Sequence, residues 1–112
     1  EITDGQAAAF NVTAKLRYEK GYPPTVNDPQ KLAIAADVAR EIAGESAVVD
    51  DASMEMGAED FSYMLDARPG AYLFLGQGES AGLHNPNYNF NDDISPIGAS
   101  FFARLVETTQ PL

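Results

Sequence analysis

Residues 71–75, AYLFL, are apolar without alternation, and a turn closes the run at each end: Pro69 and Gly70 before it, Gly76-Gln77-Gly78 after it. A strand with one wet face alternates polar and apolar side chains. A continuous apolar run instead predicts a strand covered by helices on both faces, with parallel neighbours in its sheet. This chain supplies few segments that could be those neighbours, so the run demands more sheet than the sequence contains.

The segments around it fit a layered α/β arrangement. Asp28 offers an N-cap with Pro29 at the first helical position, and Leu32, Ala35, Ala36, Ala39, Ile42 and Ala43 follow at helical spacing up to Gly44, which predicts a helix over 29–43. Residues 46–50 (SAVVD) read as a short strand and 50–57 as loop. Residues 58–65 put Phe61, Met64 and Leu65 on one helical face, with Glu59 and Asp60 in a first turn where the helix dipole favours carboxylates. Ser95 and Pro96 repeat the cap-and-proline pattern ahead of a helix carrying Phe101, Phe102, Leu105 and Val106 toward a core. From Asp28 the order is therefore helix, strand, helix, strand, helix.

The first 27 residues belong to something else. Ala7 to Phe10 form the apolar patch of a helix tail, with Asn11 as a left-handed stop. Residues 12–19 alternate with period two, Val12, Ala14, Leu16 and Tyr18 on one face and Thr13, Lys15, Arg17 and Glu19 on the other, which predicts a strand of an antiparallel sheet. Pro23 and Pro24 cannot donate to a ladder and force extended backbone, so residues 21–29 mark a boundary. Both halves read as incomplete: 1–27 the end of one unit, 28–112 part of another.

Charge narrows the partners. Seventeen acidic against seven basic residues give a net −10, which repels nucleic acid and anionic membrane surfaces. No cysteine is present, so neither a disulfide framework nor a thiolate metal site can be built from this chain, in keeping with a cytoplasmic protein. No apolar run approaches the roughly 18 residues that span a bilayer.

Reactive side chains gather in residues 82–93 (GLHNPNYNFNDD), which hold His84, the one histidine of the chain. It follows the central apolar run, where open α/β sheets place their sites. A neutral imidazole there can ligate a metal or act as a general base, and it can equally do no more than hydrogen-bond loop backbone; a metal needs three or four protein ligands. Glu59 and Asp60 can likewise ligate metal, orient a donor, or only complement a helix dipole. Asn87, Asn89, Asn91, Asp92 and Asp93 alternate like calcium ligands but lack the glycine and glutamate of such a loop, so turn chemistry explains them better. Gly76-Gln77-Gly78 is a weak echo of a phosphate-binding turn with no helix or Lys directly after it. Residues 22–24 (YPP) read as a hinge before they read as a polyproline ligand.

Four blocks, residues 21–28 (GYPPTVND), 56–62 (MGAEDFS), 69–76 (PGAYLFLG) and 83–92 (LHNPNYNFND), together resemble the C-terminal part of the M20 metallopeptidase family, in particular its amidohydrolase branch of hippurate and N-acyl-amino-acid hydrolases. The resemblance implies an α/β fold. Residues 28–112 would be the C-terminal segment of an α/β/α layered catalytic domain, and residues 1–27 the last helix and strand of an α+β lid domain that also serves for homodimerisation. It implies hydrolysis of the amide bond of N-acyl amino acids at a centre of two divalent metals, of the kind filled by Zn, Mn, Co or Ni. There a metal polarises the carbonyl and an upstream Glu deprotonates the attacking water. His84 would be the last metal ligand, with Asn85, Glu59 and Asp60 in support, while the other ligands and the general base lie upstream of this sequence. No catalytic residue falls within these 112 residues, and the segment alone is expected to be inactive. Relatives often carry Asp where this chain has Asn89, which leaves the ligand itself intact. A di-, amino- or carboxypeptidase of the same family, or a non-catalytic oligomerisation module, are the alternatives.

Overall fold

The computed structural model describes residues 1–110. Its regular elements are four α-helices, α1 (Ile2–Ala9), α2 (Pro29–Ala43), α3 (Phe61–Ala67) and α4 (Ser95–Thr109), with 3-10 turns at Glu45–Ala47 and Asp92–Ile94. The helix expected over 29–43 forms with those bounds. Asp28 Oδ1 accepts from the N–H groups of Gln30 and Lys31, both at 3.0 Å, satisfying two donors that the first turn leaves free. At the other end Gly44 has φ +89°, a conformation that favours glycine, and its N–H closes on the Arg40 carbonyl at 2.8 Å.

That positive φ redirects the chain and corrects one expectation. Residues 46–50 do not make a strand: Ala47 N–H returns to Gly44 O in a 3-10 turn. Arg40 then gathers the segment onto α2 through Glu45 at 3.1 Å and through Asp50. Helix α1 ends as its composition suggested, with Asn11 in the left-handed region at φ +51°.

Helices α2 and α4 pack together, and Ala35, Ala36 and Val38 are the buried apolar residues of the described chain. Arg104 of α4 crosses to Glu41 of α2 with Nε to Oε1 at 2.9 Å. One face of α4 is half-buried through Phe101 and Leu105, but Phe102 and Val106, expected in a core, are exposed. The cap of α4 also differs from expectation. Ser95 is its first helical residue, not its cap, because the preceding 3-10 turn runs straight into the helix with Ile94 in the cap position.

Neither alternating residues 12–19 nor apolar residues 71–75 pair in a ladder among the described residues. Side-chain pattern chooses which face of a strand is dry, but a strand forms only where a neighbour receives its N–H and C=O groups. Leu16, Tyr18, Phe74 and Leu75 consequently remain exposed. The radius of gyration, 20.5 Å, far exceeds the about 13 Å of a compact chain near this length. The apolar faces thus outnumber the surfaces available to cover them. Among the described residues no helix is long and apolar enough to cross a membrane.

Candidate functional site

His84 sits on a corner built by local hydrogen bonds. Asn85 N–H donates to Gly82 O at 3.1 Å, which closes a four-residue turn and leaves His84 in the left-handed region at φ +66°. Such a conformation costs an L-residue on the order of 1 kcal/mol and recurs at functional positions. Asn85 steadies the next step. Its Oδ1 accepts from Asn87 N–H at 2.9 Å, and its carbonyl accepts from Tyr88 N–H at 2.9 Å. Asn85 is therefore committed to the turn that presents its neighbour. His84 itself is exposed, and its ring has no hydrogen-bond partner among the described residues.

The loop stands beside an open concavity of about 560 Å³ lined by Gln77, Glu79, Ser80, Asn89, Asn91 and Asp93 among others. Its lining is mostly polar, with Ala81 and Phe90 as its apolar members, and does not include His84.

Glu59 and Asp60 sit in a second cluster. The expected helix start at 58 moves to Phe61, and Glu59 forms the turn ahead of it. Glu59 Oε1 accepts from Phe61 N–H at 3.1 Å, and its carbonyl accepts from Ser62 N–H and from Ser62 Oγ at 2.7 Å, burying Ser62 completely. Glu59 Oε2 accepts from the Tyr72 hydroxyl at 2.9 Å. Tyr72 is in turn held by Asn27, whose Oδ1 accepts from Tyr72 N–H at 2.7 Å while its Nδ2 donates to Tyr72 O at 3.0 Å. Asp28 N–H adds a bond to Gly70 O at 2.9 Å. Asp60 is exposed and makes no side-chain cap.

This network fixes the Glu59 charge. The Phe61 N–H, and after it the Tyr72 hydroxyl, hold the carboxyl below the usual carboxylate range. The same bond, with burial, pushes the Tyr72 hydroxyl up. A depressed acid contributes stability above its ordinary value of about 4.3, and that contribution is lost as pH falls through the lower folded value. A raised phenol contributes below about 10 and loses its contribution as pH rises through the higher folded value. The bond therefore works from mild acid to alkaline pH. In Tyr72→Phe the Glu59 carboxyl should titrate higher but not return to its ordinary value, because the larger cause, Phe61 N–H, remains. Side-chain carboxylate NMR titration measures this, and an unmoved Glu59 would remove Tyr72 from the network.

His84, Glu59 and Asp60 do not converge: no group of three or more metal-binding side chains forms among the described residues. Both Glu59 oxygens are already occupied. The donor chemistry present fits one arm of a metal site, the exposed His84 imidazole, and no complete site. Asn27, Tyr72 and Gln77, which organise the two clusters, escaped the sequence reading. Asn27 adjoins a recognised cap and Gln77 lies between two glycines, but nothing in their spacing announces a partner 45 or 14 residues away.

Comparison with known proteins places these clusters in context. Residues 2–108 match Peptidase family M20/M25/M40, and the chain belongs to that family, whose members in general depend on divalent metals. It is 34% identical over 113 residues to IAA-amino acid hydrolase ILR1-like 2 of Arabidopsis thaliana, covering 94% of this chain and 26% of that protein. It is 31% identical over 105 residues to the hippurate hydrolase of Campylobacter jejuni (94% and 27%). With the N-acetyl-L-cysteine deacetylase of Bacillus subtilis it shares 32% over 101 residues (90% and 23%). The chain thus spans about a quarter of the length of these relatives. No solved structure gives a significant match.

Proposed function

We propose that this chain is the C-terminal segment of a metal-dependent amidohydrolase that cleaves the amide bond of N-acyl amino acids. The observation that carries the reading is the family match over residues 2–108, together with a histidine held free at the corner of an exposed loop. The three relatives are named for compounds of one kind, amino acids bearing an acyl group on nitrogen, which favours that substrate class. Residues 28–112 would complete an α/β/α layered catalytic domain, with residues 71–75 pairing to strands supplied by the rest of the polypeptide. Residues 1–27 would close a lid domain in which residues 12–19 find their ladder. The exposed apolar faces and the large radius of gyration support this reading, since both describe surfaces shaped for cover.

In this reading His84 holds one divalent metal through its imidazole, and Asn85 keeps the turn that presents it. When bound, the metal supplies polarisation of the amide carbonyl and of the attacking water. Glu59 takes no part in ligation. Its two oxygens anchor the start of α3 and the Tyr72 segment, so its role is to fasten those two segments together.

The full-length protein tests this. It should hydrolyse N-benzoyl and N-acetyl amino acids, lose the activity on dialysis against a chelator, and regain it with added Zn²⁺ or Mn²⁺. Preference for unblocked dipeptides would move it to the peptidase alternative. Undiminished hydrolysis after complete metal removal would overturn the metal-dependent mechanism.

A further inference from the structure

The Gly76-Gln77-Gly78 turn does no phosphate chemistry that the reaction requires, yet Gln77 is half-buried while both its neighbours are exposed. Gly78, at φ +84°, turns the chain away from residues 71–75 and begins the excursion that carries His84. The excursion returns at Asn91, and there the two feet are tied together. Gln77 Oε1 accepts from the Asn91 N–H at 3.1 Å, and Gln77 O accepts from Asn91 Nδ2 at 3.1 Å. The Tyr88 hydroxyl donates to the same Oε1 at 3.3 Å. A backbone N–H can only donate, so the Gln77 side chain must present its oxygen here, and its amide nitrogen takes no part.

Asn91 passes the restraint on, since its Oδ1 accepts from Asp93 N–H at 3.1 Å and opens the 3-10 turn that runs into α4. A second rung, Ser80 Oγ to Asn89 O at 3.3 Å, lies farther out along the loop. Two side chains thus bridge the feet at their base, Gln77 through its Oε1 and Asn91 through its Nδ2, and the Gln77 oxygen alone of the two also takes the Tyr88 hydroxyl. Without the Gln77 amide oxygen the bond from Asn91 Nδ2 to Gln77 O remains at the base, but the Asn91 N–H and the Tyr88 hydroxyl lose their shared acceptor, and the corner at His84 can wander relative to α4.

We propose that Gln77 is the positioning residue of the His84 loop, a latch whose amide oxygen fixes where the imidazole is presented to metal. The proposal rests on the reading of His84 as a metal ligand. Groups that orient a ligand from behind typically change metal affinity by about 10–100-fold when removed, because they set the geometry the ligand must otherwise find by itself.

The test uses the full-length protein loaded with Zn²⁺ and two replacements of similar length. Gln77→Met lacks the acceptor; Gln77→Glu keeps an oxygen for Asn91 and Tyr88. Working in 1 M salt, with a Debye length of about 3 Å, screens the new charge from Glu79, Asp92 and Asp93. Zn²⁺ release to a coloured chelator and amide exchange at Asn91 are read together. Gln77→Met should speed release by about 10–100-fold and unprotect Asn91, and Gln77→Glu should restore both. The latch is overturned if Gln77→Met releases Zn²⁺ at the parent rate while His84→Ala releases it faster, an outcome that leaves the ligand reading standing. It is also overturned if Gln77→Glu behaves like Gln77→Met, since the acceptor would then be irrelevant. If His84→Ala itself releases Zn²⁺ no faster than the parent, the ligand reading falls and the latch with it.

Discussion

Replacing His84 by alanine in the full-length protein is expected to remove metal and activity together. The chain offers one imidazole, and no group of metal-binding side chains forms among the described residues to take its place. Loss of a group that merely supports a ligand costs about 10–100-fold in metal affinity, so loss of the ligand should exceed about 100-fold. Alanine alone is an imperfect replacement, because residue 84 sits at φ +66° and Asn tolerates that region better than Ala. His84→Asn should keep the turn closed by Asn85 N–H and Gly82 O yet lose the imidazole, and it should be as depleted of metal as His84→Ala. Metal content by atomic emission, set beside hydrolysis of an N-acyl amino acid, separates the possibilities. Full occupancy with full activity in both variants would end the ligand assignment. Full occupancy with activity lost would make His84 a group acting on substrate instead.

What the sequence revealed and what it hid divide along one physical line. Helix α2 could be read to the residue, because a cap such as Asp28, a proline at the first position and a glycine stop are local devices whose partners lie within four residues. Asn11 as a left-handed stop was legible for the same reason. Residues 46–50 were misread because β-branched Val48 and Val49 signal only a tolerance for extended backbone, whereas Gly44 and the reach of Arg40 to Glu45 and Asp50 decided the path. The cap of α4 moved by one residue because Asn91, not Ser95, opens the preceding 3-10 turn. Within the candidate site, His84 announced itself by its chemistry, and its turn by the surrounding glycine, asparagine and proline. The corner's own bonds are local, whereas Gln77 reaches Asn91 across 14 residues and Asn27 reaches Tyr72 across 45, separations that no periodicity encodes. Residues 12–19 and 71–75 show the same limit from the other side: their patterns describe faces and edges, and name no partner to use them.

The clearest such long-range bond gives the second large effect, expected in Asn27→Ala. Asn27 offers Tyr72 a donor and an acceptor side by side, 3.0 Å from its carbonyl and 2.7 Å from its N–H, which is what one residue of a neighbouring strand would offer. The amide orientation is fixed by the Tyr72 N–H, which can only donate. Alanine removes both bonds at once and leaves two half-buried backbone groups without their partner. An unmet buried group costs about 1–3 kcal/mol, and with partial access to water the pair should cost about 2 kcal/mol in total. That loss should lower the denaturant midpoint with little change in its slope, and exchange at the Tyr72 amide should accelerate. Asn27→Asp separates the two bonds. It keeps the acceptor for Tyr72 N–H but sets a carboxylate oxygen against Tyr72 O, so it should be no better tolerated than alanine. A consequence should also appear at a distance, since a loosened Tyr72 holds Glu59 less well and the Glu59 carboxyl should titrate higher. If Tyr72 exchange and Glu59 titration are both unchanged in Asn27→Ala, the connector at residues 21–28 is not fastened to residues 71–75 through this side chain. The bond of Asp28 N–H to Gly70 O would then be what joins them.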